Sequence, residues 1–230
     1  MPLVVRLRSA VCLLGRFPAL AGVDLDVAPG ETVLLSGGNG AGKTTLLRLV
    51  AGLLPLHQGD GEVLGTDLSR DRRSHRRRIG FVGQDTGCYD DLTVRENLRF
   101  ATKAAGASTE AADEALAALE LERLAEVHHG KLSTGQRRRL GLAIAFARHP
   151  DLFLLDEPHA GLDAPGRAYL DRVLARAAQE GRSVLIASHE LELVRPFATR
   201  EVVLTNGQAH GALPVAPEPA AALEPVETTP

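Results

Sequence analysis

The segment 34–45, Leu-Leu-Ser-Gly-Gly-Asn-Gly-Ala-Gly-Lys-Thr-Thr, constrains the fold more than any other stretch of the chain. Gly37, Gly42, Lys43 and Thr44 stand at the fixed positions of G-x-x-x-x-G-K-[ST]. That spacing closes a nest of backbone N–H groups around a phosphate chain. Glycine supplies backbone turns that other residues resist, and it lets the main chain approach the phosphate with no Cβ between them. The candidate contacts are Gly37, Gly38, Asn39, Gly40, Ala41, Gly42, Lys43, Thr44 and Thr45. Lys43 can reach the β- and γ-phosphates, and the Thr44 hydroxyl can ligate Mg²⁺. The flanks agree: 32–36 reads as a buried strand, and 43–50 reads as a helix whose positive end faces the anion. The loop by itself says that the chain binds a nucleoside triphosphate.

Composition bounds what else is possible. The chain has 230 residues, 44% hydrophobic and 24% charged, with a net charge of −3. This suits an ordinary globular protein and gives no reason to expect nucleic acid as a partner. No apolar run approaches the roughly 18 residues of a membrane span. Residues 1–8 alternate charge and aliphatics, unlike a signal peptide. Cys12 and Cys88 lie far apart, so a disulfide or metal framework is not expected, and cytoplasmic residence is the default.

The remaining pattern is mixed. Segments 3–8 and 23–27 alternate as half-buried antiparallel strands do. Segment 59–65 reads as a turn and short strand. Residues 70–78 hold six arginines, best explained as a solvated helix face. A strand at 79–82 ends at Gln84. Thr93 and Glu96 form a capping box before a helix, and further helical stretches cover 109–119 and 121–127. His128 and His129 read as surface histidines of a loop. A helix at 133–148 stops at Pro150. An apolar strand occupies 152–155, a helix 164–179 and a buried strand 183–188. Asn206-Gly207 turns a hairpin. From 212 to 230, proline, alanine and glutamate dominate, as in a disordered tail.

Two further elements carry chemistry. Leu152–Leu155 ends in Asp156 and Glu157. A buried strand ending in acids delivers them to the sheet edge where the phosphate loop also lies. Asp156 is placed to hold Mg²⁺, and Glu157 to orient a water for in-line attack on the γ-phosphorus. Ser133 and Gln136 form an S-x-x-Q capping box, which leaves a helix N-terminus as a second anion site. One chain holds one γ-phosphate on its own loop, so a second anion site suggests a second subunit.

Leu132-Ser133-Thr134-Gly135-Gln136 resembles the L-S-G-G-Q signature of ABC ATPases. Gln84 with Asp85-Thr86-Gly87 looks like the family's glutamine loop. Gly161-Leu162-Asp163 is similar to its aspartate loop, and His189 stands where the family has its switch histidine. The resemblance spans all but the tail. It implies an α/β P-loop NTPase of ABC type: a RecA-like core with a mixed sheet, an antiparallel β-subdomain and an inserted α-helical subdomain. The domain would occupy 1–211, with core and β-subdomain at 1–85 and 131–211, the helical subdomain at 86–130, and the tail at 212–230. It further implies ATP and Mg²⁺ as cofactors and a homodimer joined head to tail. Each ATP would contact one subunit's loop and the other's Ser133, Gly135 and Gln136, with Asp163 close by. Glu157, His189 and Gln84 would be catalytic, and Thr44, Gln84 and Asp156 would hold the metal. An integral membrane transporter subunit would dock on the helical subdomain, placing the protein on the cytoplasmic face of the membrane.

The chain departs from the family pattern at Thr134, which replaces the first glycine of the signature pair, and at His159. It departs again near Leu14, where an aromatic ring usually stacks on adenine; Phe17 is the nearest ring that could substitute. Soluble DNA-repair members need a long coiled coil between loop and signature, for which the stretch from Lys43 to Ser133 is too short. Glu157 and His189 speak against a non-catalytic subunit. The compact chain and its segment 91–98 are similar to the ATP-binding subunit of haem-exporter-like cytochrome c maturation complexes, and nearly as similar to ATPases of drug or polysaccharide exporters.

Overall fold

The apolar run Leu152–Asp156 forms a central strand because both of its faces are covered. In the computed structural model, which describes residues 2–83 and 87–214, the elements follow in order. They are β1 (Val5–Leu14), β2 (Phe17–Val27), β3 (Thr32–Ser36), α1 (Lys43–Val50), β4 (Gln58–Val63), β5 (Thr66–Asp67) and β6 (Ile79–Val82). Then come α2 (Val94–Ala105), α3 (Thr109–Ala118), α4 (Thr134–Ala147), β7 (Leu152–Asp156), α5 (Ala164–Gln179), β8 (Ser183–Ala187), α6 (Leu191–Val194), β9 (Arg200–Thr205) and β10 (Gln208–Pro214).

Six strands form one mixed sheet in the order β10-β9-β3-β8-β7-β6. β3 runs parallel to β8 and β9, and β7 runs parallel to β6 and β8. β10 returns antiparallel to β9 through Asn206 (φ 51°) and Gly207 (φ 75°), the paired left-handed residues of a tight hairpin turn. The other four strands form an antiparallel sheet, β2-β1-β4-β5. Register sorts the side chains to two cores. Val33, Leu35, Leu152, Leu154, Leu185 and Ala187 face α1 and the antiparallel sheet. Leu34, Phe153, Leu155, Val184 and Ile186 face α4, α5 and the helices of the inserted segment. The one-residue alternation along each parallel strand decides which core a residue enters.

Several helix starts follow from local chemistry. Thr93 accepts from the Glu96 N–H while Glu96 reaches back to the Thr93 N–H, closing the expected capping box on α2. Asp163 caps α5, with proline in its first turn.

Five expectations change. The strands expected at 3–8 and 23–27 run on to meet in a hairpin at Gly15 and Arg16, because a bulge around Ser9 (φ 47°) breaks the alternation that sequence periodicity follows. The arginine-rich segment is largely solvated, with Arg70, Arg73, Arg77 and Arg78 exposed, but in place of a regular helix it holds a short 3₁₀ turn (Ser74–Arg78); His75 within it is buried and Arg76 donates to the Gly52 carbonyl. His129 is also buried, with its Nδ1 2.7 Å from Asp90 Oδ1, whereas His128 is exposed. The stretch 121–127 holds only a 3₁₀ turn at Glu122–Leu124. β10 runs to Pro214, so the strand reaches into the segment expected as tail. Residues 215–230, and Gln84 with its two followers, lie outside the described residues.

Leu154 is fully buried between β6 and β8. Its replacement by alanine is expected to cost about 2–5 kcal/mol. The urea unfolding midpoint should fall with little change in slope; an unchanged midpoint would contradict this placement.

Candidate functional site

The C-terminal ends of β3, β7 and β8 point the same way, and the loops leaving them line a single cavity of about 1110 Å³. The phosphate-loop residues Asn39 to Thr45 form one wall. Asp156, Glu157 and His189 form another. Open α/β sheets bind ligands at such strand ends.

The loop's shape is fixed by what flanks it. Gly37 (φ 134°) passes so close to β9 that a Cβ there would lie 2.2 Å from the Leu204 carbonyl oxygen. Gly42 (φ 106°) packs against β2, where a Cβ would come within 2.8 Å of the Ala19 carbonyl oxygen. The Gly207 N–H donates to the Ala41 carbonyl at 3.0 Å, pinning the loop to the β9–β10 hairpin. α1 begins at Gly42 with no side-chain cap, so its first N–H groups face the cavity end with the helix's positive pole. Lys43 Nζ donates to the Gly37 and Gly38 carbonyls at 2.6 and 3.1 Å, which holds its charge at the mouth of the loop.

Beside the loop lies the acid pair. Asp156 is 2% exposed and accepts a 2.8 Å hydrogen bond from the Thr44 hydroxyl. Burial pushes its carboxyl above the usual carboxylate range, opposed by the Thr44 hydrogen bond. Glu157 sits in a left-handed conformation (φ 49°), unusual for a side chain with a Cβ and common where strain serves a site. Its N–H donates to Ala187 of β8 at 2.8 Å. Its carboxylate accepts from the His189 N–H at 3.2 Å and lies 2.8 Å from His189 Nδ1.

The signature segment does not join this assembly within one chain. Ser133 caps α4 through a capping box with Gln136, and Ser133 itself is exposed. Thr134 reaches the cavity edge, but Ser133, Gly135 and Gln136 do not line it. Asp163 lies outside the cavity as well; it caps α5 and pairs with Arg139 of α4. Leu14 and Ala19 also line the cavity. Phe17, the ring expected to replace the missing aromatic, is 79% exposed and is not among the residues lining the cavity.

Arg138 was not foreseen. It projects from α4 to donate to the carbonyls of Gly83, Asp156 and Glu157. In the sequence it hides in a run of three arginines, yet Leu142 and Ala145 follow it at helical spacing on the buried face. That spacing was the available signal.

The family model described as ABC transporter matches residues 20–160. The chain belongs to the ABC transporter family. The sulfate/thiosulfate import ATP-binding protein CysA of Methylococcus capsulatus is 38% identical over 214 residues, covering 89% of this chain and 61% of that protein. The chain therefore spans less than two thirds of that relative's length. The cytochrome c biogenesis ATP-binding export protein CcmA of Bordetella bronchiseptica is 40% identical over 185 residues, 80% of this chain and 83% of that one. Among solved structures, the dimeric post-hydrolysis state of the ATP-binding cassette MJ0796 bound to ADP and Pi superposes with a TM-score of 0.84. The match is 27% identical and covers 92% of this chain and 99% of that one. The α/β architecture, with its mixed sheet, antiparallel sheet and inserted helices, is that of the ABC ATP-binding cassette.

The two glycines at the loop's start separate backbone demand from mere sequence pattern. Gly37→Ala should destabilise the fold by about 1–3 kcal/mol. Gly38→Ala, where a Cβ meets nothing within 4 Å, should leave the unfolding midpoint unchanged. Equal midpoints for the two variants would contradict the tight packing of β3's end against β9.

Proposed function

We propose that this chain is a Mg²⁺-dependent ATP hydrolase that works as a head-to-tail pair of copies and drives a membrane transporter. The observation that carries the reading is the convergence of loop, Asp156, Glu157 and His189 on one cavity, with Ser133, Gly135 and Gln136 outside it.

The donor set fits a hard divalent cation. Asp156 is a buried carboxylate beside a hydroxyl, and a cation would stabilise the charge that burial penalises. Asp156 and Thr44 would hold Mg²⁺, joined by Gln84, which lies outside the described residues; the metal would neutralise charge on the phosphates. The chain's own groups do the rest. N–H groups of the loop and α1 bind the phosphates, and Lys43 swings from the loop carbonyls to the γ-phosphate side. Glu157 orients a water for in-line attack, and His189 holds that carboxylate in place. The N-terminus of the other copy's α4, with Ser133 and Gly135, closes over the same phosphates, while Asp163 acts at the junction of the copies. Closure excludes bulk water and strengthens each of these contacts. The dimeric state of the MJ0796 cassette supports this arrangement.

A second cavity, of about 700 Å³, supports a membrane-subunit docking groove. Leu53, Tyr89 and Phe100 are exposed apolar groups there, bordered by Arg48, Arg76 and Arg148. Among the described residues no helix is long and apolar enough to cross a membrane, so the span would come from the partner. In this reading the protein works on the cytoplasmic face. Of the transport systems, cytochrome c maturation or haem export is favoured by the match to CcmA, which extends over 83% of that protein. Sulfate import stands as the second reading on the CysA match. Purifying the membrane subunit with this chain and testing it for haem separates them.

Glu157→Gln keeps the shape and removes the charge. Turnover should fall by roughly 10²-fold or more, while ATP should now trap a stable dimer by size-exclusion chromatography. Undiminished turnover would remove Glu157 from the mechanism.

A further inference from the structure

Arg138 is a cation spent on main-chain carbonyls. Its residue is 8% exposed, and burial pushes its pKa down against the pull of Asp156 and Glu157. Nη1 donates to the Gly83 carbonyl, and Nη2 donates to the carbonyls of Asp156, at 2.6 Å, and Glu157. These acceptors are not a random set. β6 and β7 are parallel neighbours with Val82 opposite Leu155, so Gly83, just past β6, and Asp156, the last residue of β7, follow side by side. Gly83 also directly precedes Gln84. One planar guanidinium thus bridges two strand ends and the first residue of the following turn, a geometry that lysine's point charge cannot reproduce.

The residue most affected is Glu157. Its left-handed backbone is held from two sides: its N–H by Ala187 of β8, and its carbonyl by Arg138 of α4. Its carboxylate then meets His189. The backbone contacts set where the carboxylate can go, because a strained φ persists only where its surroundings over-determine it. The same helix carries Ser133 at its N-cap, so the brace also ties the signature end of α4 to this subunit's own acid pair.

We propose that Arg138 is a positioning residue for hydrolysis, which fixes the backbone of Glu157 and so aims its carboxylate. The inference rests on the hydrolytic reading above. Arg138 borders the cavity, but its Nη1 and Nη2 donate to main-chain carbonyls, so it acts through Glu157 and separates turnover from affinity.

The test is steady-state hydrolysis of Mg-ATP by the full chain carrying Arg138→Lys or Arg138→Ala, alongside nucleotide Kd and unfolding midpoint. A misplaced catalytic group costs on the order of 10²-fold in rate, so kcat should fall about 10- to 100-fold in both variants. KM and the nucleotide Kd should stay within about twofold of the parent. Low-millimolar guanidinium should restore part of kcat to Arg138→Ala, and none to Glu157→Gln. Where Arg138→Ala does not fold, Arg138→Lys decides alone, since it retains the charge and loses the fork. Parental kcat in folded Arg138→Lys overturns the proposal. So does a fall in kcat that merely tracks lost nucleotide binding or the unfolded fraction, without guanidinium rescue. If the parent chain itself hydrolyses no ATP, the functional reading fails; parental turnover with an unaffected Arg138→Lys defeats only this inference.

Discussion

The 2.8 Å hydrogen bond from Thr44 to Asp156 joins the two halves of the site, and the geometry around it depends on the strand order that makes it possible. Thr44 leaves the loop after β3, and Asp156 ends β7. These strands are not adjacent; β8 lies between them. The contact therefore spans a full strand's width across the sheet's C-terminal edge, and it forms only if β3, β8 and β7 are parallel and in register. That register is set by cores on both faces, with alternate side chains of each strand packed to opposite sides. A slip of one residue would send every apolar side chain to the wrong core and pull the acids from the loop.

The phosphate loop also depends on the antiparallel sheet. β9 crowds Gly37 and β2 crowds Gly42, while the β9–β10 hairpin donates to Ala41. The loop is thus clamped by two sheets, its N–H groups held in place before a ligand arrives, so little ordering cost remains at binding. The acid side is built on the same principle with different parts: β8 and α4 together hold the Glu157 backbone, and His189 holds its side chain.

Much of this was legible in the chain. β3, α1, β6 and α5 fall on the boundaries read from apolar runs, loop glycines and helical apolar spacing, because each of those signals acts within a few residues. The phosphate-loop spacing and the strand ending in Asp156 and Glu157 announced the two sides of the cavity. What stayed hidden was set by tertiary contact. The bulge at Ser9 concealed the length of β1 and β2. His129 reads as polar loop, yet it is buried against Asp90. Arg138 reads as one of three surface charges, although the carbonyls that hold it come from strands far away in sequence. Phe17 was the nearest ring to the expected base position, but the hairpin turns it outward and leaves Leu14 at the wall.

The central claim is that a working site needs the loop of one copy and the α4 N-terminus of another. Mixing two inactive variants tests it most directly. Lys43→Ala disables the loop, and Ser133→Ala disables the signature end of α4. A head-to-tail pair made of one of each contains one site with both parts intact, so ATP hydrolysis should reappear on mixing. A mixture as inactive as its parents, or full turnover by a demonstrated monomer, would contradict the account.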